Sequence, residues 1–171
     1  MFTYCLFCES QKCAAIAAQA ELVYPCRAIK PQLVQLKWVK KQPINETHDL
    51  LPGYVFLYAE EEIPDIGVFR AISGVIRCLS DMEHHYVLQG DDEQFALMLL
   101  EKNGVLGKVP VYEEGKMIRI KEGAFAGVQA KILRVDRRGK RLQIELPFTY
   151  MLVKTWLEFE IVEDAENENE Y

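Results

Sequence analysis

The sequence lacks a long apolar run, a basic leader and an even set of cysteines, and each absence excludes a class of protein. No stretch of about 18 apolar residues occurs in the 171-residue chain, so no membrane-spanning helix is predicted. The first residues are apolar without the basic residues of a secretory signal. Five cysteines with no extracellular context indicate reduced thiols. We therefore expect a cytoplasmic protein with no membrane partner.

The residue patterns that perform catalysis or hold a metal ion are also missing. Cys5 and Cys8 point to opposite faces of a strand, and no second CxxC or nearby histidine completes a metal site. The adjacent pair His84–His85 rarely shares a metal ion. There is no phosphate loop, no Ser/His/Asp or Cys/His arrangement and no placed carboxylate pair. We expect no metal, no cofactor and no enzyme activity, and a protein that acts by binding.

Charge is unevenly distributed along the chain, whose formal net charge is -6. Residues 1–109 carry 14 acidic and 10 basic side chains, whereas residues 110–157 carry 5 acidic and 10 basic ones. The last segment, 158–171, has 7 acidic side chains and no basic one. Overall negative charge opposes nucleic-acid binding, but the basic segment between an acidic body and an acidic tail makes it plausible again.

Mixed periodicity in the first hundred residues predicts an α+β domain with an antiparallel sheet flanked by helices. Ser10 can cap a helix that Pro25 ends, and Leu50–Gly53 is a turn signal before an apolar strand. The predicted elements are strand 2–8, a helix up to Pro25, an extended hairpin arm over 26–49, strand 54–59, helix 64–71, strand 75–79 and helix 91–102.

The pattern changes to short strands alone in the last third of the chain. Residues 104–113 hold glycine and proline without helical periodicity and are predicted to be a linker between domain 1–103 and domain 114–163. Arg138–Gly139 is placed in a tight turn between two strands. The acidic segment 164–171 is predicted to be a disordered tail. Five strands, at 117–121, 128–135, 141–146, 149–154 and 157–162, are typical of a small all-β barrel.

Two motifs in this order carry a family resemblance. The segment 51–56, LPGYVF, is similar to the signature of the NGN domain, and Gly74–Val75 matches the next landmark of that domain. Residues from Gly115–Lys116 to about Gln143 resemble a KOW motif, with Gly127 where that motif requires glycine in a turn. An NGN domain followed by a KOW domain resembles the NusG family of transcription elongation factors.

The resemblance implies a fold and a set of partners. The expected fold is an α+β NGN domain followed by a small SH3-like KOW barrel, in a monomer. An NGN domain binds the clamp helices of core RNA polymerase, and a KOW domain recruits the termination factor Rho, a ribosomal protein or RNA. The polymerase-binding residues that the resemblance implies are Phe7, Pro52, Gly53, Tyr54, Phe56 and Val75.

Departures from the housekeeping NusG pattern favour a specialised paralogue. Thr3-Tyr4-Cys5 replaces the usual aromatic pair, the His-Thr-Thr run of RfaH is absent from helix 63–71, and the turn 137–141 is unusually basic. We expect an antitermination factor resembling LoaP that contacts upstream DNA or structured nascent RNA. The candidate nucleic-acid-binding residues are Lys37, Lys40 and Lys41 in the hairpin arm and Lys121, Arg134, Arg137, Arg138, Lys140 and Arg141 in the barrel.

Three alternatives stay open at this point. The chain could be a ribosome-associated RNA-binding KOW protein, since KOW motifs also occur in ribosomal proteins. The aromatic residues of the first domain could be ordinary sheet core, and the basic turn could be a solvated surface.

Overall fold

The computed structural model describes residues 1–114, 117–120, 125, 130–148 and 151–162. The first unit, residues 1–106, contains two α-helices and seven strands. They are β1 (Phe2–Cys8), α1 (Cys13–Val23), β2 (Arg27–Ile29), β3 (Gln32–Val39), β4 (Gln42–Asp49), β5 (Tyr54–Ala59), β6 (Val75–Cys78), α2 (Gly90–Glu101) and β7 (Val105–Leu106). We call these residues the N-terminal unit.

The second unit, residues 109–162, is built from strands in the part that the structure describes. They are β8 (Val109–Glu114), β9 (Met117–Arg119), β10 (Lys131–Asp136), β11 (Arg141–Phe148) and β12 (Met151–Ile161). We call these residues the C-terminal unit.

The predicted antiparallel sheet of the N-terminal unit is confirmed, with strand order β2-β5-β1-β6. β5 is buried along its whole length because it is central and covered on both faces. Side chains alternate between two cores. Tyr4, Leu6 and Val55 pack on the side of α1, whereas Cys5, Tyr54 and Phe56 pack on the side of α2.

The predicted hairpin arm is confirmed as β3 and β4, which pair antiparallel from Gln32↔Asp49 to Val39↔Gln42. The extended segment before its tip is divided at Pro31, because proline has no N–H to donate to a ladder. β2 therefore stays in the central sheet, and β3 forms a separate sheet with β4 and β7. The hairpin projects its tip at Lys40–Lys41.

The predicted helix at 64–71 is shorter than expected and is a 3₁₀-helix, Ile66–Ala71. The Asp65 carboxylate accepts a hydrogen bond of 2.8 Å from the Gly67 N–H and thereby caps its first turn. The helix predicted at 91–102 is confirmed within one residue at each end.

The C-terminal unit forms one five-stranded sheet of order β10-β11-β12-β8-β9, with a parallel pair between β12 and β8. The segment 104–113, predicted to be an irregular linker, carries β7 and β8, because Val109 and Val111 are buried apolar residues that pair with β12. The strands predicted at 149–154 and 157–162 are one strand, β12, because Thr155 and Trp156 continue the ladder without a glycine or proline.

Some sequence predictions fall outside the described residues. They include Lys121, Gly127, parts of the strands predicted at 117–121, 128–135 and 149–154, and the tail 164–171. The division into domains 1–103 and 114–163 stays a prediction. In the described residues, no helix is long and apolar enough to cross a membrane.

Candidate functional site

A cluster of six aromatic rings joins the two units of the chain. We call it the aromatic cluster; its members are Phe7, Tyr54, Phe56, Phe95, Phe125 and Phe148. Four come from β1, β5 and α2 of the N-terminal unit, and two come from the C-terminal unit. Three of its members, Phe7, Tyr54 and Phe56, were predicted from the sequence to bind a partner.

The pairing of β1 with β5 positions the predicted aromatic residues. Phe7 lies opposite Tyr54 in the antiparallel register, and their ring centroids are 5.4 Å apart in an edge-on arrangement. Phe56 is two residues further along β5 and therefore shares the face of Tyr54. At Gly53, where φ is +90°, a Cβ atom would come within 3.0 Å of the Cys8 carbonyl oxygen and 3.2 Å of the Phe7 ring. Glycine is thus required for the turn to pack against β1.

Phe148, at the end of β11, covers this aromatic face. Its ring centroid lies 5.3 Å from that of Phe56, 5.8 Å from that of Tyr54 and 5.9 Å from that of Phe95, each in an edge-on arrangement. Phe125 contacts Phe95 at 6.2 Å. The Phe148 ring is only 3% exposed and Phe56 is fully buried, so in this arrangement the C-terminal unit closes the aromatic face from solvent.

Phe7 lies at the edge of the aromatic cluster, and Pro52 and Val75, also predicted to bind polymerase, lie outside it. Phe7 is only half-buried, and the guanidinium carbon of Arg77 lies 6.0 Å from its ring centroid. Pro52 is exposed in the turn before β5. Val75 packs with the core on the opposite side of the sheet, so the structure does not bring it to the aromatic cluster.

Sequence reasoning missed three cluster members. They are Phe95, Phe125 and Phe148, none of which was predicted to bind a partner. The alternation of Leu142, Ile144, Leu146 and Phe148 marks Phe148 as inward-facing. No sequence signal, however, shows that the inward face at this strand end meets the N-terminal unit.

The predicted lysine group lies at and near the tip of the β3–β4 hairpin. Lys40 and Lys41 form the two-residue turn with φ of 49° and 67°, a left-handed conformation that favours glycine or asparagine. Lys37 is engaged in an ion pair with Glu46, with 3.2 Å between Nζ and Oε2. Lys37 also lowers the pKa of Glu46 by hydrogen bonding. Trp38 beside this group is 66% exposed, which sequence reasoning did not single out.

The basic turn between β10 and β11 is organised by one carboxylate. The Gly139 N–H donates to Asp136 Oδ1 at 2.8 Å, and Arg141 Nη2 lies 3.3 Å from Oδ2. These two contacts, the Gly139 N–H first, lower the pKa of Asp136. The Asp136 carboxylate therefore bridges Gly139 and Arg141 across the turn.

The described members of the predicted basic group are all exposed. Arg134 lies on β10, Arg141 begins β11, and Arg137, Arg138 and Lys140 form the turn between those strands. The structure therefore brings these five residues to one end of the sheet. The Arg141 guanidinium carbon also lies 5.7 Å from the ring centroid of Trp156 on β12, a residue to which sequence reasoning gave no role.

The five cysteines are free thiols, and their surroundings oppose reactivity. Cys5 and Cys8 belong to different cores on opposite faces of the sheet, as predicted. Burial raises the pKa of Cys8 to about 12 and that of Cys26 to about 11, so both thiols are protonated at neutral pH. In the described ranges, no group of three or more His, Cys, Asp or Glu side chains could hold a metal ion.

Comparison with known proteins supports part of the predicted family resemblance. Residues 114–145 match the KOW motif. The fold is similar to that in a structure titled "Domain interaction in Thermotoga maritima NusG", with a TM-score of 0.55, 15% sequence identity and coverage of 92% of this chain and 93% of that one. No curated protein matches the chain. The predicted KOW motif is confirmed, and a NusG-like fold extends over almost the whole chain.

Proposed function

We propose that the chain is a transcription elongation factor of the NusG family that acts by binding. In this proposal the N-terminal unit is an NGN domain that binds the clamp helices of core RNA polymerase. The C-terminal unit is an SH3-like KOW barrel that binds a recruiting partner. The KOW match, the LPGYVF strand ahead of it and the NusG-like fold support this assignment.

The aromatic cluster is the observation that carries the proposal. Tyr54, Phe56 and Phe95 present their rings on the side of the sheet that α1 leaves open, where the C-terminal unit covers them. An apolar aromatic surface is suited to receive the apolar side chains of a partner's helices. Phe7 at its edge is half-buried and is the member most accessible to a partner.

The covering of the cluster by Phe148 implies a competition between two partners for one surface. Polymerase helices and the C-terminal unit cannot contact the rings of Tyr54 and Phe56 at the same time. Binding of polymerase must therefore displace Phe148, and the apparent affinity is reduced by the fraction of molecules that are closed. Release of the C-terminal unit leaves it free to bind its own partner.

The basic residues supply the second half of the proposed function. Lys40 and Lys41 project from a hairpin tip in a backbone conformation that lysine rarely adopts, which is a feature found at functional sites. We assign them to upstream DNA, and the turn formed by Arg137, Arg138 and Lys140 to phosphates of structured nascent RNA. Rho or a ribosomal protein are the other partners expected for a KOW domain.

The specialised role that fits these surfaces is antitermination by a paralogue resembling LoaP, in a cytoplasmic monomer without a cofactor. A protein that binds both polymerase and the emerging RNA is retained on the complex, because each contact raises the effective concentration for the other contact. The basic turn within a chain of net charge -6 supports RNA as the recruiting partner.

The experiment that tests this proposal compares two macromolecular partners. Purified full-length chain is mixed with core RNA polymerase or with ribosomes and followed by co-sedimentation. We expect association with polymerase and increased read-through of a terminator in a purified transcription reaction. Association with ribosomes and none with polymerase would favour the ribosome-associated KOW protein, which the KOW match also allows.

A further inference from the structure

The exposed face of strands β10, β11 and β12 carries an aromatic residue, Trp156, surrounded by basic side chains. In β11, Leu142, Ile144, Leu146 and Phe148 are buried, so the odd-numbered residues face outward. The antiparallel register places Trp156 opposite Gln143, and Gln143 opposite Arg134. Arg134, Gln143 and Trp156 therefore form one row across three strands on the outer face.

Trp156 is partly exposed on this face and contacts one cation. It is 39% exposed, and the guanidinium carbon of Arg141 lies 5.7 Å from its ring centroid. Arg141 is itself bound to Asp136, which the turn holds through Gly139. A cation over an aromatic ring orients it, and Trp156 nevertheless keeps more than a third of its surface exposed to solvent.

The charge around Trp156 favours a polyanion. Basic side chains outnumber acidic ones on β10, β11, β12 and their connecting turn by seven to four in the described residues. Two of the acidic groups are engaged, Asp136 with Arg141 at 3.3 Å and Glu145 with Lys154 at 3.6 Å. The basic members are Lys131, Arg134, Arg137, Arg138, Lys140, Arg141 and Lys154.

We propose that Trp156 is a stacking platform for an unpaired base in a single-stranded part, such as a hairpin loop, of the structured nascent RNA, with Arg134 and the basic turn contacting the adjacent phosphates. This inference rests on the RNA-binding part of the proposed function and specifies it. A base stacks on an exposed indole whatever its identity, and one such contact contributes substantially to single-strand affinity. On β12, Glu158 lies opposite Arg141 and two residues beyond Trp156. Trp156 and the position opposite Arg141 are therefore about 7 Å apart along the strand. This is about the length of one nucleotide in an extended backbone.

The chain offers a direct readout, because Trp38 and Trp156 are its two tryptophans. In full-length Trp38→Phe protein, Trp156 is the sole tryptophan, and stacking on a base quenches indole fluorescence. The probe is a 12-nucleotide unstructured RNA, compared with a blunt RNA duplex of equal phosphate number. We expect saturable quenching by the single strand and little by the duplex.

Affinity of full-length variants for the same single strand separates stacking from charge. Trp156→Ala is expected to bind about tenfold more weakly, as for the loss of one stacked base, and Trp156→Phe to retain most of the affinity. The matched control is Leu152→Ala, which removes another exposed apolar side chain of the same face (66% exposed) but no ring. Circular dichroism establishes that all variants are folded.

The outcomes distinguish this inference from the proposed function. If wild-type protein binds RNA but Trp156 is not quenched and Trp156→Ala binds normally, the stacking site is overturned while RNA binding stands. If duplex and single strand bind and quench equally, recognition of unpaired bases is also overturned. If the protein binds no RNA at low salt, both the inference and RNA recruitment are overturned.

Discussion

Single side chains of the aromatic cluster differ in what they contribute to the fold and to binding. Phe56 is fully buried and contacts Phe95 and Phe148, so its truncation removes core packing as well as any binding surface. Phe7 is half-buried and lies at the rim of the cluster. A test of polymerase binding by single substitution is therefore cleanest at Phe7.

We predict that Phe7→Ala weakens binding of the full-length chain to core polymerase by about 1–2 kcal/mol, which is roughly tenfold, because an anchoring ring is lost from the interface. The matched control is Phe2→Ala, which truncates a half-buried ring of the same strand on the opposite face of the sheet. Fluorescence anisotropy of a labelled chain measures both affinities. Equal affinities for the two variants would exclude Phe7 from the interface.

Asp136 gives the basic turn a defined pH dependence. The Gly139 N–H and Arg141 stabilise its carboxylate, so the folded pKa lies below the ordinary value. The stabilisation is thus present above about pH 4 and is lost as the pH falls through the folded pKa. We predict a carboxyl titration midpoint below that of an unperturbed aspartate, measured by ¹³C NMR.

The same titration separates the two causes. Arg141→Ala should raise the midpoint only in part, because the Gly139 N–H, which has the larger effect, is retained. A midpoint at the ordinary aspartate value in the unsubstituted chain would show that the turn is not organised by this carboxylate.

Among the helices and strands, local sequence pattern predicted most of the N-terminal unit. It failed for strands whose formation depends on pairing with a distant part of the chain. β1, β5 and α2 follow from apolar runs, helical spacing and turn residues. β8 follows from the pairing of Val109 and Val111 with β12, about 50 residues further along the chain, which no local pattern reveals. β12 was predicted as two strands because its length exceeds that of an ordinary strand.

We predict that a protease can cleave the segment between the two units at one position. Gly107 and Lys108 are exposed between β7 and β8, while Leu106 and Val109 on either side are buried. Limited trypsin digestion should therefore cut after Lys108 and give two stable fragments, and Lys108→Gln should abolish that cut. An uncut core spanning residue 108, with cleavage elsewhere first, would contradict a two-domain organisation.

The basic turn is predicted to control the salt dependence of RNA binding. Replacing Arg137, Arg138 and Arg141 by alanine should reduce the slope of log affinity against log salt by about one unit per lost phosphate contact. The charge-matched control replaces Lys12, Arg27 and Lys102 of the N-terminal unit. Anisotropy titrations from about 50 to 300 mM salt, the range in which phosphate contacts show, measure the slope. An unchanged slope in the turn variant would show that the turn is a solvated surface that does not contact RNA phosphates.

In the whole molecule, the two units of the chain share one aromatic core. The KOW motif and the aromatic face of β5 were each predictable from sequence. Their contact was not, because inward-facing periodicity shows that Phe148 is buried but does not show which surface buries it. The competition that we propose from this contact therefore could not be predicted from the sequence.

The measurement that tests this account most directly is the affinity of full-length Phe148→Ala protein for purified core RNA polymerase. Loss of the ring contacts to Tyr54, Phe56 and Phe95 destabilises the closed arrangement by about 2–4 kcal/mol, so more molecules expose the aromatic cluster. The matched control is Phe159→Ala, which truncates a buried ring of the C-terminal unit that has no ring contact to those three residues in the described chain. We predict that Phe148→Ala protein binds polymerase at least several-fold more tightly than both the unsubstituted chain and Phe159→Ala protein. Binding that is unchanged or weaker would show that the surface under Phe148 is not the one that polymerase uses.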